Sequence, residues 1–230
     1  MCSDRVLVTR PAPDAEATAR LVAAMGFVPV VAPMLSIRTL AARMPGRIDA
    51  VLLTSRNALP GLPASLHRVP LLAVGAASAA AARARGFTDV RHADGDTAAL
   101  RVLVANSVAP GPALLLPTSR GQGHELAAAL RADGCTVHRR AVYEARPTRD
   151  LPAEARTALV QGLLATLFFS AATARAFVAA SRRAGLDTET RGVDACAIGE
   201  PARMALEALP WRRIRVAARP TQDDLLALLR

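Results

Sequence analysis

The chain has 230 residues, 52% hydrophobic but only 3% aromatic, so one large or two small domains must be packed mainly with alanine and leucine. Its 29 basic and 19 acidic residues give a net charge of +10. Every basic residue is arginine, which excludes Schiff-base chemistry, pyridoxal phosphate attachment and a P-loop lysine. No stretch reaches the roughly 18 apolar residues of a membrane span, and no apolar leader precedes Asp4 and Arg5. Cys2, Cys135 and Cys196 have no CxxC spacing, so a reducing, cytoplasmic setting is expected.

In chain order, short apolar runs predict strands at 5–9, 28–32, 50–54, 71–74, 113–117, 136–142, 166–170, 194–198 and 213–217. Alanine-rich helices alternate with them at 14–25, 76–85, 123–132, 173–183 and 201–208. This alternation predicts an α/β protein with parallel sheets. Gly26, Gly86, Gly134 and Gly185 stand just past helix ends, where a left-handed cap is expected.

A weak repeat is visible in the strand ends. Four units recur in the order A-B-C-D-A-B-C-D. The first begins at Val6 and again at Leu114. The second ends its strand in serine, at Ser55 and Ser170, and the third in glycine, at Gly75 and Gly199. The fourth starts a helix with threonine, at Thr97 and Thr221. Two tandem domains divided near residue 111 fit this order. So does a discontinuous pairing, in which the first A unit joins the last B, C and D. Segments 33–40 and 138–149 alternate polar and apolar residues and suit paired crossover strands.

Parallel sheets bind ligands beyond the carboxyl ends of their strands. Those ends read Thr9-Arg10, Thr54-Ser55-Arg56-Asn57, Gly75-Ala76-Ala77-Ser78, Thr118-Ser119-Arg120, Ser170-Ala171, Gly199-Glu200-Pro201 and Pro220-Thr221. Small hydroxyls and glycines at helix starts present backbone N–H groups to anions. Ser55, Ser78, Ser170 and Thr221 taken singly read first as helix caps, but the repetition in both halves points to an anion-lined cleft. Asp94, Asp96, Asp223 and Asp224 read as capping residues, Trp211 as packing, and Gly121-Gln122-Gly123 as an ordinary glycine turn. His67, His92, His124 and His138 lack ligand spacing, so no metal site is expected. Arginine suits carboxylates and phosphates alike. No aromatic interleaving marks a single-strand nucleic-acid surface. Tyr143, the only tyrosine, falls in the second crossover segment.

In this order, the strand-end residues resemble the uroporphyrinogen-III synthase family over nearly the whole chain. The resemblance is carried by Val6-Leu7-Val8-Thr9-Arg10-Pro11, Thr54-Ser55-Arg56-Asn57-Ala58, Ala73-Val74-Gly75 with Ser78, and Arg120-Gly121 with Gly123. Val142-Tyr143, Phe168-Phe169-Ser170, Ala197-Ile198-Gly199 and Pro220-Thr221 continue it. It implies two flavodoxin-like α/β lobes joined by a two-stranded connector: 1–36 with 146–230 in one lobe, 40–140 in the other, and 33–40 and 138–149 as connector strands. It further implies a monomer that takes hydroxymethylbilane, a linear tetrapyrrole with eight carboxylates. The enzyme removes water, inverts ring D through a spiro intermediate and closes the macrocycle, without cofactor. Transient contact with the hydroxymethylbilane synthase that makes the substrate is a further expectation, and neither nucleic acid nor membrane is expected as a partner.

By the same resemblance, Tyr143 matches a connector tyrosine that assists departure of the hydroxyl group. Substrate binding falls to Thr9, Arg10, Thr54, Ser55, Asn57, Gly75, Ala76, Ser78, Arg120, Ser170, Ala171, Gly199, Glu200, Pro201 and Ala202. Ser78 and Ala202 stand where the family commonly has threonine, and Glu200 brings a negative charge to a loop expected to meet carboxylates. A non-catalytic bilobed protein that binds an acidic small molecule is the alternative reading.

Overall fold

The structure is a computed structural model that describes residues 4–12, 14–93 and 96–230. Cys2 and Asp94 lie outside the described residues. The chain divides into two compact units, Met1–Ser36 with Arg146–Arg230 and Ile37–Ala145.

The first unit is built on five strands, β1 (Arg5–Val8), β2 (Val28–Val31), β9 (Ala165–Phe168), β10 (Asp194–Ala197) and β11 (Arg213–Val216), paired parallel in the order β11-β10-β9-β1-β2. Numbered within the unit this is 5-4-3-1-2, the flavodoxin-like order read from its other edge. Period-2 alternation sorts the side chains onto two faces. Leu7, Phe168 and Ala195 pack with helices α5 (Ala153–Gln161), α6 (Ala171–Arg183) and α7 (Glu200–Leu206). Val6, Val8, Leu167 and Cys196 pack with α1 (Asp14–Ala24) and α8 (Gln222–Ala227). Phe168, Phe177 and Trp211 form an aromatic cluster with ring centroids 5.4–5.7 Å apart, confirming Trp211 as a packing residue.

The second unit has six strands: β3 (Leu35–Thr39), β4 (Ala50–Leu53), β5 (Leu71–Ala73), β6 (Val90–His92), β7 (Ala113–Ser119) and β8 (Thr136–Pro147), in the order β3-β8-β7-β4-β5-β6. The five strands from β8 to β6 repeat the order of the first unit, with β7 and β8 standing where β1 and β2 stand there. The late A unit of the sequence repeat therefore completes the sheet of the early B and C units. Val51, Leu53, Leu71 and Leu115 face α2 (Ala76–Ala84) and a 3-10 turn, Arg56–Gly61; Leu52, Leu72, Leu114 and Leu116 face α3 (Thr97–Ser107) and α4 (His124–Ala132). A fully buried leucine in either cluster contributes about 1.5–3 kcal/mol. β3 runs antiparallel to β8: backbone bonds join Leu40 to Val142 and Thr148 to Met34.

Most predicted boundaries move by one or two residues. The larger differences are informative. The strand expected at 136–142 and the crossover at 138–149 are one continuous strand, β8. β6, α5 and the 3-10 turns are absent from the sequence reading; the turn Arg56–Gly61 is short and interrupted by Pro60, so it carries no 3.6-residue period. Gly26, Gly86, Gly134 and Gly185 take φ between +66° and +99°, as helix-ending glycines should. Asp96 caps α3 and Thr97 is its first residue, both as read from the sequence. Among the described residues no helix is long and apolar enough to cross a membrane.

Candidate active site

In each sheet the two strands that flank the reversal of strand order, β1 and β9 in one, β7 and β4 in the other, mark the switch point where ligands bind in such folds. In the first unit, however, that point is largely filled by its own side chains. Thr9 is fully buried and its hydroxyl donates to the Leu167 carbonyl at 2.7 Å, tying β1 to β9. Arg10 is held by Asp14 at 2.5 Å and Gln222 at 2.9 Å, with its guanidinium 4.3 Å over the Phe169 ring. Thr9 and Arg10, expected to meet a ligand, are thus engaged within the sheet and its helices. The reason is local: the first turn of α1 sets Asp14 one helical turn from Arg10.

Ser170 caps α6, its hydroxyl accepting from the Thr173 N–H at 3.1 Å, and half-buried Ala171 opens that helix. Gly199 starts α7 without a side-chain cap, followed by exposed Glu200 and Pro201. Ala202 departs from expectation. It is buried in the core and its N–H is bonded to the Gly199 carbonyl, so it presents nothing to a ligand. Glu200 is also not a free charge: Arg203 binds both its oxygens at 2.8 and 2.9 Å and holds its carboxyl below the usual range.

In the second unit Thr54 is half-buried at the end of β4, and Ser55 caps the 3-10 turn by accepting from the Asn57 N–H at 3.3 Å. Gly75 starts α2 without a side-chain cap, and Ala76 is exposed in its first turn. Ser78 sits inside α2 rather than at its cap. Arg120 is exposed beyond β7, with Nε 3.7 Å from the Glu144 carboxylate; Arg38 approaches the other oxygen at 3.8 Å.

Tyr143 is the buried member of this set. Only 6% exposed, it packs in the cluster on the 3-10-turn face, on the side of the sheet where that turn begins at Ser55. Burial pushes its phenol above the usual value and Ser55 opposes that rise. A β-bulge puts it there. Thr118 pairs with Ala141 but Ser119 with Tyr143, so Val142 is an extra residue in β8. Strict alternation would send Val142 and Tyr143 to opposite faces; the bulge leaves both in one cluster. The phenol consequently reaches toward Ser55, across β7.

The caps also separate two kinds of strand end. Ser55, Ser170 and Thr221 spend their hydroxyls on their own turns. Helices α2, α4 and α7 begin at Gly75, Gly123 and Gly199 without a side-chain cap; the first N–H groups of α2 and α4 remain for an anion, whereas α7 offers only that of Glu200, because Pro201 has none and the Ala202 N–H is bonded to Gly199. Asp224 both donates its N–H to Thr221 and pairs with Arg219, in keeping with a capping role.

The family model for uroporphyrinogen-III synthase HemD matches residues 16–227. The chain belongs to the uroporphyrinogen-III synthase family. Its members are cyclising hydro-lyases of tetrapyrrole biosynthesis, and they act on a tetrapyrrole substrate. The fold agrees with that of the uroporphyrinogen-III synthetase from Helicobacter pylori 26695, at 15% identity over 99% of this chain and 98% of that one, with a TM-score of 0.64. Uroporphyrinogen III synthases from the extremely thermophilic bacterium Thermus thermophilus also match. A mutant form covers 98% of this chain and 95% of its own at 19% identity and a TM-score of 0.49; the wild type has 20% identity, 98% and 94% coverage and a TM-score of 0.42. No curated protein sequence matches. Membership in a synthase family favours the enzyme over the non-catalytic binding protein.

Sequence reasoning missed three residues that the structure sets beside Tyr143 and Arg120. Glu144 and Arg38 bracket the Arg120 pair, and their signal was only that Glu144 adjoins Tyr143. Gly61, which faces the bulge, was concealed in a Pro60-Gly61 dipeptide that reads as an ordinary turn.

Proposed function

We propose that this uroporphyrinogen-III synthase takes hydroxymethylbilane as its substrate and that Tyr143 is the group that promotes loss of water from it. Hydroxide is a poor leaving group, and the step needs a hydrogen bond or proton delivered to the departing oxygen. A phenol kept neutral by burial supplies one at any physiological pH. The observation that carries the reading is the burial of the chain's single tyrosine at the β8 bulge, in the same cluster as β4 and the 3-10 turn beside the switch point of its sheet. Uncapped N–H groups after Gly75 and Gly123 and the single Glu200 N–H after Gly199, together with Arg120, are the sites we assign to substrate carboxylates. Arg120 is tethered only loosely by Glu144 at 3.7 Å, a separation at which a substrate carboxylate competes. Thr54, Ser55, Asn57, Ala76, Ser78, Ser170, Ala171 and Pro201 shape the surroundings of those groups.

Catalysis on this reading is mainly orientation: carboxylate contacts fold the linear chain so that ring D inverts before closure. The protein acts as a monomer in the cytoplasm. Its substrate closes spontaneously to the type I isomer, so brief contact with hydroxymethylbilane synthase would shorten the exposure. The test is Tyr143→Phe, which deletes the hydroxyl and keeps the ring. We expect kcat for type III product to fall on the order of 100-fold with little change in KM. An unchanged kcat would remove Tyr143 from the mechanism.

A further inference from the structure

The bulge that turns Tyr143 toward Ser55 is met on its outer side by Gly61, the last residue of the 3-10 turn. A Cβ built at Gly61 would lie 2.7 Å from Val142 Cβ and 2.7 Å from the Val142 carbonyl oxygen. Contacts between carbon atoms are optimal near 3.5–4.0 Å, so this space holds no side chain at all. Gly61 is not in the left-handed region, so the glycine is required by close approach and not by its backbone angles.

Strand β8 cannot simply retreat from such a crowding atom. The Val142 carbonyl accepts from the Leu40 N–H at 2.8 Å on β3, and the Tyr143 carbonyl accepts from the Arg120 N–H at 2.9 Å beyond β7. Both flanks of the bulge are therefore pinned. The element left to yield is the turn, and the turn begins at Ser55. We propose that Gly61 is a positioning residue for this synthase: by letting the turn seat directly on the Val142 bulge, it sets where the Tyr143 side chain lies relative to the turn that begins at Ser55. The proposal rests on the reading of Tyr143 as the group that promotes dehydration, and it assigns Gly61 no contact with substrate.

The test uses Gly61→Ala in the full chain and reads Tyr143 directly. Because the chain has one tyrosine, its alkaline absorbance titration reports that phenol alone. The charged residues on the adjoining segments, Arg38, Arg56, Arg120 and Glu144, are unchanged in every variant. Gly61→Ala is expected to lower kcat about tenfold with KM within about twofold, and to raise the midpoint of tyrosine ionisation as Ser55→Ala does. In Ser55→Ala, adding Gly61→Ala should change kcat and the midpoint little further. An unmoved midpoint, or a fall toward the value of free tyrosine, would overturn the proposal, the latter by showing that the cluster had merely opened. Should Gly61→Ala not fold, the same readings are made on Gly61→Ala with Val142→Gly, which deletes the opposing Cβ; failure of both to fold would assign Gly61 to the fold and overturn its role at the site. The two failures are distinct. Wild-type turnover in Tyr143→Phe sinks the dehydration role whatever the midpoint does, whereas an unmoved midpoint sinks Gly61 even if Tyr143→Phe is inactive.

Discussion

Tyr143 and Cys196 are ionisable side chains buried as neutral groups, and both couple stability to alkaline pH. Burial raises the Cys196 thiol from 9.0 to about 12, and burial raises the Tyr143 phenol above 10.0 against the opposing effect of Ser55. Below pH 9 both are protonated whether the chain is folded or not, so their contribution is fully present. As pH rises through 9.0 and then 10.0, the unfolded chain loses protons that the folded chain keeps, and stability falls. Urea midpoints measured from pH 8 upward should decline in the wild type. Cys196→Ala should flatten the decline that begins near 9.0, and Tyr143→Phe the part that begins near 10.0; parallel curves for all three would contradict the burial of both groups.

At this scale the sequence was a good guide to residue type and a poor one to availability. Arg10 looked like an anion ligand because arginine at a strand end usually has water or ligand for company. Its partners Thr18 and Gln222 come from α1 and α8, and only the fold brings those helices together. Ala202 was placed in a ligand loop, but helical geometry turns it into the core. Tyr143 was identified by resemblance; Ser55 was identified too, but as a substrate contact, because a placement across β7 has no sequence signature.

Elements tell a more even story. Apolar runs located eight of the strands within a few residues, and glycine stops the ends of four helices, because buried parallel strands and alanine-rich helices follow simple periods. β8 escaped that logic. It is twelve residues long, partly polar, and bulged at Val142, so its period is broken just where the site needs it. The turn between β7 and α4 shows a second place where backbone demands outrun the pattern. Gly123 has φ +79°, and a Cβ there would stand 2.5 Å from Thr118 Cγ2. Gly123→Ala is therefore expected to cost about 2 kcal/mol, combining left-handed strain with crowding. Urea unfolding would check this, and a loss under about 0.5 kcal/mol would contradict the close approach. The same substitution displaces the start of α4, one of the three uncapped helix starts assigned to substrate.

Over the whole molecule, the repeat read from strand ends explains why each unit has the same strand order although neither is built from one half of the chain. The second A unit, β7 to β8, sits with the first B, C and D; the first A unit sits with the second set. Sequence alone left this pairing open against a tandem arrangement, since the repeat order is identical for both. The excess of arginine, +10 over the chain, suits a polycarboxylate substrate, but charge alone did not distinguish it from nucleic acid. Family membership makes that distinction. On the proposed reading of Tyr143, the chemistry asks for little beyond a held substrate and one neutral donor.

That claim is tested most directly by generating hydroxymethylbilane in situ with its synthase, adding the purified protein, and separating the oxidised porphyrin isomers. The account predicts mainly the type III isomer, with the Tyr143→Phe enzyme reverting toward type I. Type I alone in the presence of folded wild-type protein would contradict it.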